Sequence, residues 1–85
     1  MEVAYTKKAQ EHLLYWKNSG NRKIMSKISD LVTAIAVDPF GGIGKPEPLK
    51  HELSGCWSRR INGEHRIVYE LTDNKILVHS LKGHY

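Results

Sequence analysis

Apolar positions fall first at helical and then at strand spacing along the chain. In "EVAYT", Val3 and Tyr5 alternate with Glu2 and Ala4, which predicts a short first strand. Thr6 can cap a helix in which Ala9, Leu13 and Trp16 recur on one face, and "NSGN" supplies its stop. Asn21 can cap a second helix striped by Ile24, Ile28, Leu31, Val32 and Ile35, ending at Asp38-Pro39 because the residue before proline leaves the α region. "FGGIGKPEP" is a loop stiffened by its prolines. "LKHEL", "WSRRI", "HRIVYEL" and "KILVHSL" then read as strands separated by the turn segments "SG", "NGE" and "TDN". The expected fold class is α+β: two N-terminal helices packed on one face of a twisted antiparallel sheet, in a single domain over residues 1–85.

Composition narrows the class. A 40% hydrophobic content is too high for a disordered segment, and no apolar run approaches the roughly 20 residues that span a bilayer. The opening "MEVAYTKKAQ" lacks the basic, apolar, small order of a secretory signal, so a cytoplasmic location is expected with no membrane partner. The single cysteine, Cys56, excludes an internal disulfide and suits a reducing compartment. Thirteen Lys and Arg against nine Asp and Glu give +4, a balance compatible with a polyanionic partner. The cations cluster where strands are expected: Lys50, Arg59, Arg60 and Arg66, with His51 and His65 among them.

Several chemistries lack their pattern. Asp30, Asp38 and Asp73 are scattered, with no spacing of a calcium loop or paired-carboxylate site, so no metal is expected. "GGIGKPEP" lacks the spacing of a phosphate-binding loop and no helix follows it, and no cofactor is expected. Cys56, between Gly55 and Trp57, reads as a small, partly buried residue rather than a nucleophile. Glu47 is different. It lies between Pro46 and Pro48, so its backbone is restrained and its carboxylate is aimed before any ligand arrives, as a general base requires. Its bland alternative is a solvated loop glutamate. Arg59 and Arg60 alternate across a strand, Arg59 with Trp57 and Ile61 and Arg60 with Ser58, while Arg66 shares a face with Val68. An arginine among apolar strand residues is either paired or functional, since an unpaired buried guanidinium is costly. If "KILVHSLKGHY" forms the last strand and pairs within the sheet, its end brings His84 and Tyr85 beside Arg66 and the Glu47 loop. Those four groups would suit RNA cleavage by its own 2′-hydroxyl, a reaction that composition alone does not select.

The segment "DPFGGIGKPEPLKHELSGCWSRRINGEHRIVYELTD", together with the final "HY", resembles the YoeB (or Txe) toxins of bacterial type II toxin–antitoxin systems, within the RelE superfamily. The resemblance runs from Val3 to Tyr85 without evident insertion. It implies ribosome-dependent cleavage of messenger RNA, inhibiting translation, with Glu47 as general base, Arg66 as transition-state cation and His84 as general acid. By the same match Tyr85 would help bind the scissile nucleotide, and Lys50 and Arg59 would bind phosphate or RNA. The implied partners are a YefM-like antitoxin, the ribosome and mRNA, operator DNA only through the antitoxin complex, and a second copy of the chain. Cys56 departs from the family, standing where an aromatic residue is common, as does Lys82-Gly83, where an arginine and an aromatic or polar residue often precede His-Tyr. Two other readings compete with the enzyme: a non-catalytic module that blocks decoding by binding RNA or ribosome, and a co-repressor subunit completed by the antitoxin.

Overall fold

Thr6 joins the first strand to the first helix and hydrogen-bonds on both sides of that junction. Its hydroxyl accepts the Ala9 N–H at 3.1 Å, capping α1 (Lys7–Ser19), and donates at 3.2 Å to the carbonyl of His79, far along the chain. The computed structural model describes residues 1–83; His84 and Tyr85 lie outside the described residues. Helix α1 stops at Gly20, whose φ of 73° is the left-handed conformation that glycine adopts without strain. Asn21 then accepts the Ile24 N–H at 3.1 Å and starts α2 (Arg22–Val37), which ends at the extended Asp38. The caps are those the sequence predicts. The stripes largely follow: Ile24, Ile28, Leu31 and Ile35 of α2 are buried with Ala9 and Trp16 of α1, while Val32 and Leu13 are half-buried against them. Burial of each large apolar side chain contributes about 1.5–3 kcal/mol.

The helices cover one face of a five-stranded sheet ordered β1-β5-β4-β3-β2. The strands are β1 (Glu2–Tyr5), β2 (Glu47–Pro48), β3 (Trp57–Arg60), β4 (Arg66–Thr72) and β5 (Lys75–Ser80). The sheet is antiparallel from β2 through β5, and β1 adds to its other edge in parallel, Val3 beside Ile76 and Tyr5 beside Val78. A parallel neighbour needs a long crossover, and the chain between β1 and β5 contains both helices. Ile67, Tyr69, Ile76, Val78 and Leu81 meet the helices from the sheet side. Asp73 and Asn74, with φ of 51° and 60°, make the two-residue turn that joins β4 to β5.

One irregularity aims side chains at the face away from the helices. Val68 pairs with Ser80 while Tyr69 pairs with Val78, so β5 holds one extra residue, His79, in a bulge. Ile76 and Val78 point inward at strand spacing, and the next inward residue is Leu81 rather than Ser80. Leu77, His79 and Ser80 therefore lie on the outward face, opposite Val68 and Glu70.

"LKHEL" is not a strand. Lys50 is still extended, but His51 turns at φ 60°, and His51–Leu53 is a short 3-10 turn. Its i to i+3 bonds run from Leu53 N to Lys50 O and from Ser54 N to His51 O. Leu49 and Leu53 stand four apart, a spacing that fits one helical turn as well as alternation, and backbone bonding decides it. The edge strand is instead Glu47–Pro48, where proline's missing N–H does no harm.

Candidate functional site

The two faces of the β3–β4 hairpin carry different arginines. On the inward face Arg59 is fully buried, and its guanidinium is surrounded by acceptors. Nη2 donates to the carbonyls of Asp38 at 2.6 Å and Gly41 at 2.8 Å, Nη1 to that of Ile43 at 3.0 Å, and Nε to the Tyr69 hydroxyl at 3.0 Å. The Tyr69 hydroxyl in turn donates a hydrogen bond to the Pro39 carbonyl at 2.7 Å, and burial pushes its phenol above the ordinary range. The loop from Asp38 to Gly44 is thus wrapped around one side chain. Gly44 fits only as glycine: its φ is 85°, and a Cβ would lie 2.6 Å from Leu31 Cδ2 and 3.0 Å from Arg59 Cβ. The expectation that Arg59 contacts phosphate is therefore corrected, because no part of its guanidinium reaches solvent and its donors hold the loop.

On the outward face Arg66 is poised differently. Its side chain is 17% exposed, its Nη1 donates to the Ser58 hydroxyl at 3.3 Å, and the same atom lies 4.0 Å from Glu47 Oε1. Glu47 projects from the edge strand, its side chain 61% exposed, and is paired with Ser58 across the ladder. The carboxylate and the guanidinium that sequence places 19 residues apart (66 − 47) are neighbours across β3. At this exposure the pair adds little stability. It leaves the guanidinium anchored on one side and open on the other. Lys50 is exposed just past Pro48, and Arg60 is exposed on β3.

The last described residues are tied down beside this pair. Arg66 N–H donates to the Gly83 carbonyl at 2.8 Å, and Gly83 N–H to His65 Nδ1 at 2.9 Å. Leu81 N–H donates to His12 Nδ1 at 3.0 Å and its carbonyl accepts from Trp16 Nε1 at 2.9 Å. The Lys82 ammonium sits 4.0 Å above the Tyr15 ring. Burial, with Lys8 and Lys82 nearby, holds the His12 imidazole below its ordinary range, in the neutral form that can accept. Lys82-Gly83 thus belongs to an anchored segment. His84 and Tyr85, expected as general acid and nucleotide contact, lie outside the described residues.

Three outward-facing residues had no signal in linear spacing. Cys56 precedes β3 while Glu70 is on β4 and His79 on β5, and their ligand-type atoms all lie within 4.8 Å of one another. His79 Nε2 is 2.7 Å from Glu70 Oε1, and burial followed by the Glu70 charge raises the Cys56 thiol above its ordinary range. Ser58, which steadies Arg66, was also missed as a functional partner, although strand alternation places it on the Arg60 face.

With the geometry in view, the chain can be compared with known proteins. Residues 5–85 match the family model described as YoeB-like toxin of bacterial type II toxin–antitoxin systems. A Toxin YoeB of Synechocystis sp. is 49% identical over 85 residues, covering all of this chain and 98% of the relative. Among solved structures, a YoeB/ParE toxin from Agrobacterium tumefaciens superposes with a TM-score of 0.95 at 36% identity, each chain fully covered. The toxin in a YoeB-YefM complex from Staphylococcus aureus superposes at 0.89 with 42% identity, over all of this chain and 98% of the other. No helix among the described residues is long and apolar enough to cross a membrane. The chain belongs to the YoeB-like toxins of bacterial type II toxin–antitoxin systems.

Proposed function

We propose that this toxin is a ribosome-dependent endoribonuclease that cleaves messenger RNA by 2′-hydroxyl attack and so inhibits translation. The observation that carries the reading is the outward pair of Glu47 and Arg66, a carboxylate on a restrained edge strand 4.0 Å from an anchored, partly open guanidinium. Glu47 takes the 2′-hydroxyl proton. The freed oxygen attacks phosphorus, and Arg66 stabilises the charge that grows on the phosphoryl oxygens. The bond to the 5′-oxygen breaks, and His84 gives that oxygen a proton, leaving a 2′,3′-cyclic phosphate and a 5′-hydroxyl. Acid and base assistance are each worth about 100- to 10,000-fold. The role of Arg66 needs no metal. Gly83, bonded to the Arg66 backbone, directly precedes His84 in sequence, which supports a shared site. Tyr85 contacts the scissile nucleotide, and the exposed Lys50 binds phosphate. Arg59 acts through the loop it holds.

By likeness to the YoeB-YefM complex, the partner protein is a YefM-like antitoxin, with operator DNA reached only through that complex. The ribosome and mRNA complete the partners, and two copies of the chain pair as a homodimer. End-mapping of translated messages tests the reading. Wild-type toxin is expected to leave discrete cuts ending in a cyclic or 3′-phosphate, and His84→Gln to lose them. Stalled but intact messages would mark a decoding blocker instead.

A further inference from the structure

We propose that Cys56, Glu70 and His79 form a three-ligand site for a zinc-class divalent ion on the outward face, separate from Glu47 and Arg66. The inference does not rest on the nuclease reading. Their three ligand-type atoms lie within 4.8 Å of one another, a cluster found among the described residues. Tetrahedral zinc with ligands at about 2.0–2.3 Å requires ligand atoms about 3.3–3.6 Å apart. Adjustments of about an ångström therefore suffice to close the set around an ion. Thiolate, imidazole and carboxylate together select zinc or its close relatives over magnesium and calcium, which prefer oxygen alone.

The backbone presents these groups deliberately. His79 is the extra residue of the β5 bulge, and bulges commonly re-aim a side chain at a site. Glu70 faces it from β4 at 2.7 Å, and Cys56 arrives from the residue before β3. All three are half-buried, enough to be held in place and open enough for an ion to enter. They border a cleft of about 530 Å³, where Lys8 and Glu52 offset one another in charge at the wall. The open side leaves a fourth position for water, as three protein ligands do at other zinc sites. On binding, the Cys56 thiol proton is released to solvent, and His79 turns a ring nitrogen lone pair to the ion while its other ring nitrogen carries the imidazole proton.

The ion would fasten β4 and β5 to the residue that leads into β3. Cys56 also bonds through its backbone to the preceding loop, its carbonyl accepting the Leu49 N–H and its N–H donating to Leu53 O, both at 2.9 Å. A metal held there therefore steadies the 49–56 segment that follows Glu47. Binding to the folded state alone raises its stability with metal concentration.

The test is Co2+ titration of the reduced full-length protein after EDTA treatment, followed by absorbance. One equivalent is expected to give the near-ultraviolet sulfur-to-cobalt charge-transfer band and the intense visible bands of a tetrahedral ion, both erased by Zn2+. Cys56→Ala should lose the charge-transfer band while keeping the far-ultraviolet dichroism of the fold. His79→Gln should weaken Co2+ binding by more than the roughly 10- to 100-fold that losing an outer partner of a ligand costs. Zn2+ should raise the Tm of the wild type and leave that of Cys56→Ala unchanged. A titration without a charge-transfer band, or a band that persists in Cys56→Ala, would overturn the site; the first outcome leaves His79 and Glu70 as an ordinary hydrogen-bonded pair.

Discussion

Arg59 and Arg66 belong to one hairpin, seven residues apart in sequence (66 − 59), yet one is sealed inside and the other is left half-open. Strand parity separates them. Arg59 falls on the face with Trp57, opposite Ile67 and towards the helices, where a charge survives only if every donor finds an acceptor. The Asp38–Gly44 loop supplies those acceptors from its backbone. Arg66 falls on the face that no helix covers, where one hydroxyl and one distant carboxylate steady it without saturating it. Two guanidiniums of equal intrinsic chemistry thus acquire opposite uses, one architectural and one available to a ligand.

The sharpest break of that contrast is Arg59→Ala. It orphans the carbonyls of Asp38, Gly41 and Ile43 and removes a partner of Tyr69, so stability should fall by about 3–5 kcal/mol in urea unfolding. Arg59→Lys should recover little of it, since a lysine cannot reach four acceptors in a planar fork. An Arg59→Ala variant as stable as wild type would contradict the architectural assignment. Gly44→Ala strikes the same loop more gently. Overpacking against Leu31 and a strained φ should together cost about 2–4 kcal/mol, read in the same unfolding curves. By contrast Arg66→Ala should cost only about 1 kcal/mol, because its ion pair is long and its carboxylate partner is exposed.

The smallest expected effect concerns the anchored segment. His12 is held below its ordinary 6.5 by burial first and by Lys8 and Lys82 after it, and its neutral ring accepts the Leu81 N–H. Below pH 6.5 the unfolded chain therefore binds more protons than the folded one, so this contribution is full above 6.5 and declines as pH falls through the lower folded value. Unfolding curves of His12→Gln should depend less on pH just below 6.5 than those of wild type. Equal slopes would remove His12 from the anchor.

Much of this was legible along the chain, for local reasons. Thr6 and Asn21 cap the helices from within three residues, and the α2 stripe repeats at its own period. The alternation that separates Arg59 from Arg60 was equally legible, because a strand alternates whatever it packs against, whereas the opposite placement of Arg59 and Arg66 needs the register of the hairpin. Which face would be covered was not legible either. The acceptors around Arg59 come from a loop some 16 to 21 residues earlier, so only the folded chain distinguishes a buried structural arginine from an RNA-binding one. The misread "LKHEL" has the same origin, since backbone bonds from Leu49 to Cys56 choose the turn over the strand. The parallel pairing of β1 and the meeting of Cys56, Glu70 and His79 also depend on contacts distant in sequence. One sign of the bulge was present: Ile76 and Val78 keep step, and Leu81 breaks it.

On the proposed reading, the outward face performs chemistry which the inward face only supports. Mapping of mRNA ends in a translating system, with Arg66→Ala beside wild type at matched folded concentration, tests it most directly. Arg66→Ala is expected to unfold within about 1 kcal/mol of wild type while its cuts disappear. Discrete cuts at the wild-type rate from a folded Arg66→Ala would contradict it.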